Sequence, residues 1–253
     1  MGKKVVLITG ASGEIGYGLI KLFHKKGINN IITLDLKPIK ENIKSLILNE
    51  IIGNILDKEI LRQINKKYEI NEIYHLAALL STKSELSPNK AHEINVNGTM
   101  NILSLAVTQS RNFNKTIKFF FPSSIAVYGM DSNSLHITKE NEFCNPQTIY
   151  GCNKLYCEKL GLYYSQNYQK LSDDFKSGLI DFRSIRFPGL ISAYTQPTGG
   201  TSDYLPEMLH AAFQKKEYSC FVSKNTKMPF MIMPDAISAI YLLMSAPKNN
   251  LLH

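Results

Sequence analysis

The sequence lacks the features that mark several classes of protein. Its four cysteines show no Cys-x-x-Cys spacing, and neither a His-Glu-x-x-His motif nor a Cys/His cluster occurs. This argues against a zinc-dependent alcohol dehydrogenase and predicts no metal site. No run of about 18 apolar residues is present, so no membrane span is expected. Reduced thiols, and a first strand that leaves no room for a leader peptide, predict a cytoplasmic location.

Little in the sequence indicates a nucleic-acid partner, although the formal net charge is +8. The lysines are spread along the chain, and no dense basic block with interleaved aromatic residues occurs. We therefore interpret the charge as solvated surface lysines. With 253 residues, 44% of them hydrophobic, the chain can form one large domain, or one domain with a small appendage.

Apolar runs alternate with helix-like stretches along most of the chain. The predicted strands are residues 5–9, 31–34, 50–52, 72–76, 118–122 and 181–186. The predicted helices are residues 14–26, 57–67, 88–111, 147–169, 203–216 and 234–245, with a Gly/Thr/Pro-rich loop at 196–202. This alternation predicts an α/β fold in which helices cover both faces of a parallel sheet.

A glycine-rich segment follows the first predicted strand and opens the first predicted helix. In Gly10-Ala-Ser-Gly13-Glu-Ile-Gly16, backbone amides and the positive end of a helix can bind a dinucleotide phosphate. Asp35 ends the second predicted strand, where a carboxylate accepts hydrogen bonds from the adenosine ribose and repels a 2′-phosphate. The two features predict NAD rather than NADP. A simple tight turn and a helix cap are the alternatives.

A tyrosine and a lysine lie one helical turn apart in Tyr150-Gly-Cys-Asn-Lys154. An ammonium in that position lowers the pKa of a phenol and makes it a general base. A second copy of the spacing, Tyr17 and Lys21, lies inside the first predicted helix, where we expect it to face solvent or packing. Ser124 ends the fifth predicted strand and can bond a substrate oxygen beside Tyr150. These residues predict oxidation of an alcohol, or a related reaction, with a nicotinamide cofactor.

Together these motifs resemble the extended short-chain dehydrogenases/reductases, the NAD-dependent epimerase/dehydratase family, in family order over nearly the whole chain. The matching segments are Gly10/Gly13/Gly16, Asp35, His75-Leu-Ala-Ala78, Asn95-Val-Asn-Gly98-Thr99, Ser123 to Gly129, Tyr150/Lys154 and Arg186-Phe-Pro-Gly189. The resemblance implies a Rossmann-type doubly wound parallel sheet with a small C-terminal substrate-binding lobe. We expect residues 1–187 to bind NAD and residues 188–253 to form the lobe.

Within that family, the second half is similar to the short-chain type of L-threonine 3-dehydrogenase. The matching segments are residues 186–193, 196–204 and 228–236, together with 75–81. This implies NAD-dependent oxidation of L-threonine, or a similar hydroxy amino acid, at C3 to give 2-amino-3-ketobutyrate. A UDP-glucose/galactose-type nucleotide-sugar 4-epimerase is one alternative. A non-catalytic NAD-binding fragment is another, because the resembling enzymes extend beyond the end of this chain.

The resemblance also implies a role for individual residues. The catalytic residues would be Ser124, Tyr150, Lys154 and Asn95. NAD would contact Gly10, Ser12, Gly13, Glu14, Ile15, Gly16, Asp35, Asn54, Ile55, Leu76, Ala77, Ala78, Asn95, Tyr150, Lys154, Pro188 and Leu190. The substrate would contact Ser81, Ser124, Tyr150, Gly200 and Thr201. A homodimer is expected through the two long helices at 88–111 and 147–169, since the family pairs in this way.

Overall fold

The computed structural model describes residues 3–129, 138–192, 200 and 202–251. Six strands in this part of the chain form one parallel sheet: β1 (Lys3–Thr9), β2 (Ile31–Asp35), β3 (Asn49–Ile52), β4 (Tyr68–His75), β5 (Ile117–Ser124) and β6 (Ile180–Phe187). Their order across the sheet is β3-β2-β1-β4-β5-β6. Each lies where the apolar runs of the sequence predict a strand.

Helices cover both faces of the sheet. They are α1 (Glu14–Lys25), α2 (Glu41–Lys44), α3 (Lys58–Lys67), α4 (Ser81–Leu86), α5 (Pro88–His92), α6 (Gly98–Phe113), α7 (Ile149–Gln166), α8 (Tyr204–Phe213) and α9 (Met233–Ser245). One buried cluster joins the sheet to α3, α6 and α7, and a second joins it to α1 and α9. The predicted doubly wound Rossmann-type fold is confirmed. Among the described residues, no helix is long and apolar enough to cross a bilayer.

The long helix predicted at 88–111 is divided in the structure. A π-helical turn, Glu93–Asn97, separates α5 from α6. Inside it, the carbonyl of Asn95 accepts hydrogen bonds from Thr99 Oγ1 at 2.6 Å and from Cys157 Sγ at 3.3 Å. Side chains that compete for a helix carbonyl favour such a widened turn. The sequence pattern missed it because the apolar periodicity continues through the turn.

Sequence reasoning also missed several short elements. They are α2, α4 and the strands β7 (Gly189–Ile191) and β8 (Phe230–Ile232), which pair in parallel as a separate sheet. Segments of three to six residues are too short to show a hydrophobic period. The predicted loop at 196–202 lies largely outside the described residues.

The order of the strands determines where a ligand can bind. From β1 the chain goes to β2 on one side of the sheet, whereas β4, the other neighbour of β1, leads away to β5. A crevice therefore opens at the carboxyl ends of β1 and β4. The glycine-rich segment follows β1, Asp35 ends β2 and Ser124 ends β5. The fold thus brings the predicted site residues to one edge of the sheet.

A buried arginine of β6, Arg183, holds the end of helix α9 to the main sheet. The guanidinium of Arg183 donates to both carboxylate oxygens of Asp181, at 3.0 and 2.6 Å. It also donates to the carbonyls of Leu243 at 2.5 Å and Ala246 at 2.7 Å, where a cation complements the negative end of a helix. The division at residues 187/188 remains a prediction, and α9 packs with the helices of the main sheet rather than apart from them.

Candidate active site

Two glycines of the turn after β1 are required by close contacts. Gly10 has φ +68°, and a Cβ on it would lie 2.5 Å from the backbone nitrogen of Ala77. A Cβ on Gly16 would lie 2.4 Å from the carbonyl oxygen of Ala11. Gly10 therefore lets the turn lie against the segment that follows β4, and Gly16 lets the start of α1 lie against the turn, so a larger residue at either position would force these segments apart.

Gly13 differs from the other two, because a Cβ there would meet only the carbonyl of Gly10, at 3.3 Å. It is exposed and precedes α1 with no side-chain cap. The turn thus leaves a cradle in front of a helix N-terminus, which favours an anion. Ser12 belongs to the same turn, and Glu14 and Ile15 are the first two residues of α1. The pyrophosphate of a dinucleotide fits this cradle, since only glycine lets the backbone approach it closely.

We predict that Gly13→Ala lowers the affinity for NAD by at least about tenfold, which is 1.4 kcal/mol of binding free energy. The added methyl group would occupy the cradle, whereas the extended backbone at this residue (φ −77°, ψ 175°) accepts alanine without strain. Isothermal titration calorimetry measures the affinity, and thermal unfolding without NAD is the control. Unchanged affinity in a folded variant would place the pyrophosphate elsewhere.

Asp35 joins the glycine turn to the segment after β2. Its Oδ2 accepts from the amide of Ser12 at 2.9 Å, and its Oδ1 accepts from the amide of Lys37 at 3.0 Å. Ser12 Oγ also donates to the carbonyl of Lys37, at 2.7 Å. Each carboxylate oxygen retains a second acceptor site, so Asp35 can still receive ribose hydroxyls. The sequence indicated Asp35 as a ribose ligand but not as the brace of the glycine turn.

Two of the predicted NAD contacts, Asn54 and Ile55, follow β3 and differ in their placement. Asn54 is exposed, and its Oδ1 accepts from the amide of Leu56 at 3.0 Å. The side chain of Ile55 is instead buried in the core, close enough to Gly98 that a Cβ there would lie 2.4 Å from its Cδ1. The side chain of Ile55 therefore packs in the core, and its contact with NAD stays a prediction.

A buried hydrogen-bond chain supports the segment after β4, which holds the half-buried Leu76, Ala77 and Ala78. His75 bonds Thr9 Oγ1 through Nδ1 at 2.7 Å and Thr99 Oγ1 through Nε2 at 3.0 Å. Thr99 donates its own proton to the carbonyl of Asn95, so we assign the proton of His75 to Nε2. Burial lowers the pKa of His75 to about 3, and the ring stays neutral. Sequence reasoning did not find this chain.

Asn95 anchors the same segment from the other side. Its Oδ1 accepts from the amide of Leu79 at 2.7 Å, and its Nδ2 donates to the carbonyl of Leu79 at 3.1 Å. The resemblance implies that Asn95 holds the helix kink and the water that relays the proton outward. In the structure Asn95 lies in the π-helical turn, and its side-chain atoms hold the connection to α4. Ser81 begins α4, and Glu85 of that helix accepts from the amide of Ile149 at the start of α7.

The start of α7, which holds Tyr150, packs on the turn that follows Ser124 at the end of β5. Gly151 is the contact point, because a Cβ there would lie 2.1 Å from the carbonyl oxygen of Ala126. Thr148 Oγ1 caps α7 by accepting from the amide of Gly151 at 3.0 Å. Ser124 Oγ accepts from the amide of Ala126 at 3.1 Å, and its own proton can go to a substrate oxygen.

Lys154 lies beside Tyr150 but does not lower the pKa of its phenol in this structure. The Lys154 Nζ donates to the carbonyl of Pro122 at 2.6 Å, and it stands 5.5 Å from the ring centroid of Tyr150. Burial raises the pKa of Tyr150 to about 12 and lowers the pKa of Lys154 to about 8. The expected effect of the lysine is therefore outweighed by burial, because the ammonium bonds the backbone instead of the phenol.

The structure describes only some of the residues that are predicted to contact nicotinamide and substrate after β6. Pro188 joins β6 to β7, and Leu190 packs against the cluster under α1 and α9. Gly200 donates its amide to Asp203 Oδ2 at 2.7 Å. Thr201 lies outside the described residues. Their predicted contacts with nicotinamide and substrate remain predictions.

Fold and site together define the class of NAD-dependent oxidoreductases with a Rossmann fold and a Tyr-x-x-x-Lys pair. Residues 6–252 match the model of the NAD dependent epimerase/dehydratase family, and the chain belongs to that family. NAD is the cofactor of the class, and the glycine cradle fits it.

Within this family, the chain is similar to several proteins of known activity. The mitochondrial L-threonine 3-dehydrogenase of Bos taurus is 33% identical over 97% of this chain, which spans 61% of that protein's length. A monomeric L-threonine 3-dehydrogenase from a metagenome, solved in its apo form, is 39% identical with a TM-score of 0.85, covering 98% of this chain and 74% of its own. The UDP-glucose 4-epimerase of Thermotoga maritima is 19% identical, with a TM-score of 0.80. The match covers 95% of this chain and 73% of the epimerase, and at this identity it shows a shared fold alone.

Proposed function

We propose that this protein is an NAD-dependent dehydrogenase that oxidises L-threonine, or a similar small hydroxy amino acid, at C3 to 2-amino-3-ketobutyrate. The observation that carries the proposal is the packing of the start of α7, which holds Tyr150 and Lys154, on the turn that follows Ser124 at the carboxyl end of β5. The choice of threonine is supported by the similarity to the bovine and metagenomic threonine dehydrogenases.

In this mechanism Ser124 donates its proton to the substrate oxygen, since its Oγ already accepts from Ala126. The Tyr150 phenolate removes the hydroxyl proton of the substrate. When bound, NAD supplies the acceptor for the hydride that leaves C3. Lys154 turns from Pro122 toward Tyr150 and the cofactor ribose, where its charge lowers the pKa of the phenol. That rotation is needed because burial alone keeps the phenol protonated near neutral pH.

Substrate recognition in the proposal uses residues around this pair. Ser81, at the start of α4, and Gly200 and Thr201 would hold the carboxylate and ammonium of the amino acid. Pro188 and Leu190 would form the wall against the nicotinamide. The proposal retains a homodimer, supported by Met100, Tyr156 and Tyr163, which are exposed apolar side chains on α6 and α7. It also retains the cytoplasm as the compartment.

The test is NADH absorbance in the near ultraviolet with NAD and L-threonine, run beside UDP-glucose and UDP-galactose. We expect NADH that depends on threonine and no interconversion of the sugar nucleotides. Interconversion without net NADH would instead identify a 4-epimerase, the alternative that the family name favours. Binding of NAD without any turnover would contradict the dehydrogenase and leave a cofactor-binding chain.

A further inference from the structure

A buried ion pair, Arg186 with Glu158, stands one helical turn from Lys154. The guanidinium Nε donates to Glu158 Oε1 at 2.9 Å, and Nη2 donates to Oε2 at 2.7 Å. The two side chains are only 17% and 11% exposed. This bidentate geometry occupies both oxygens of the carboxylate and is the strongest arrangement that an arginine and a glutamate can form.

The third nitrogen of the same guanidinium reaches two other segments. Arg186 Nη1 donates to Tyr128 Oη at 2.9 Å and to the carbonyl of Glu140 at 2.5 Å. The guanidinium also lies over the ring of Tyr128, 4.8 Å from its centroid. Arg186 is therefore fixed by α7, by the turn after β5 and by the segment before α7, and it cannot easily leave Glu158.

Glu158 has a second possible partner in its own helix. Lys154 and Glu158 are four residues apart in α7, a spacing at which side chains of opposite charge meet, and both are buried. Among the ion pairs of the described residues, Glu158 is joined to Arg186 and not to Lys154. The Lys154 Nζ instead bonds the Pro122 carbonyl and stands over the Phe121 ring, 4.6 Å from its centroid.

We propose that Arg186 is a positioning residue that occupies the Glu158 carboxylate and so keeps it from capturing the Lys154 ammonium. Without Arg186, a buried carboxylate would lack a partner, a costly state that a nearby cation relieves. Lys154 would then be drawn along α7 toward Glu158 and away from Tyr150 and the ribose. The inference rests on the proposed role of Lys154, and it concerns a residue remote from the reacting atoms.

Few other charged groups lie near enough to Lys154 to obscure the effect of Glu158 on its pKa. Besides Glu158, the titratable groups that face Lys154 are Tyr150, Cys157 and His75. Burial raises the pKa of the Cys157 thiol and raises that of Tyr150 to about 12, while His75 stays neutral above about pH 3. Near neutral pH these three are therefore uncharged, and removing the Glu158 charge in a double variant separates its effect on Lys154 from that of groups that ionise at higher pH.

The test is a 13C NMR titration of the lysine Cε resonances without NAD, with Lys154→Met used to assign the signal. Arg186→Met should raise the midpoint of Lys154 by about 1 to 3 pH units, the usual effect of a close opposite charge. The double variant Arg186→Met/Glu158→Gln removes the carboxylate charge and should return the midpoint to that of the wild type. The affinity for NAD should fall in Arg186→Met and recover in the double variant.

Two results would overturn the inference. The first is a Lys154 midpoint that is unchanged in Arg186→Met, which means that Glu158 takes up a proton instead. The second is a displaced Lys154 midpoint that persists in the double variant. If Arg186→Met does not fold, Arg186→Lys keeps the charge but loses the fork and should shift the midpoint in the same direction by less. The titration needs no substrate. A failure of threonine oxidation therefore cannot be confused with a failure of this inference.

Discussion

Tyr150→Phe should lower the turnover of threonine by about 10²- to 10⁴-fold, the usual contribution of a general base. The substitution removes the phenol oxygen and leaves the ring in place, so the fold and the affinity for NAD should be close to those of the wild type. Steady-state NADH formation measures the turnover, and calorimetry measures NAD binding. A turnover near that of the wild type in a folded variant would remove Tyr150 from the mechanism.

The chain offers a matched control in its second Tyr-x-x-x-Lys sequence. Tyr17 is buried in α1, its Oη accepts from Asn42 at 3.1 Å, and Lys21 lies 5.4 Å from its ring centroid. The sequence predicts that this copy faces either solvent or packing, and Tyr17 packs in the buried cluster under α1 and α9. Tyr17→Phe makes the same chemical change outside the crevice and should leave turnover unaltered.

Arg183→Met should destabilise the protein by about 3–5 kcal/mol, the cost of removing one partner of a buried ion pair. Asp181, which is 6% exposed, would lose the cation that occupies both of its oxygens, and the carbonyls of Leu243 and Ala246 would lose their donor. The free energy of unfolding, taken from urea denaturation, measures the change. A loss below about 1 kcal/mol would show that α9 is held mainly by its apolar face.

Two further variants separate the effect of charge from that of packing. Asp181→Asn together with Arg183→Met removes both charges and should recover part of the lost stability, because no unpaired ion remains. Arg111→Met is the surface control, since Arg111 is exposed, donates to Gln169 at 2.8 Å and lies 6.0 Å from the ring centroid of Tyr168. Its free energy of unfolding should stay within about 0.5 kcal/mol of the wild type.

Much of the cofactor side of the site could be predicted from local sequence. Gly10 and Gly13 lie in the turn after β1, Gly16 lies in the first turn of α1, and Asp35 lies at the end of β2, because strand, turn and helix signals are read within a few residues of one another. The burial of Ile55 could not be predicted in this way. Its side chain packs in the core beside Gly98 of α6, and no local signal shows this.

The chemistry side of the site was only partly predictable. The sequence places Tyr150 and Lys154 on one helix, yet the direction of the Lys154 ammonium depends on the Pro122 carbonyl of another element. Likewise, the sequence marks Asn95 as polar and functional, whereas its partner, Leu79, comes from the end of a different connection. The hydrogen-bond partners of Lys154 and Asn95 therefore depend on which groups the folded sheet brings close to them.

The sequence by itself determined the six parallel strands, the glycine turn and the Tyr-x-x-x-Lys spacing, because these follow from apolar periodicity and local backbone chemistry. Only the tertiary structure decided that Arg186 holds Glu158, that His75 links Thr9 to Thr99, and that Arg183 ties α9 to the sheet. Each of these contacts joins residues far apart in the chain, up to 66 positions for Thr9 and His75. Buried polar groups take whatever partners the fold brings within reach, and that choice cannot be read from neighbours in sequence.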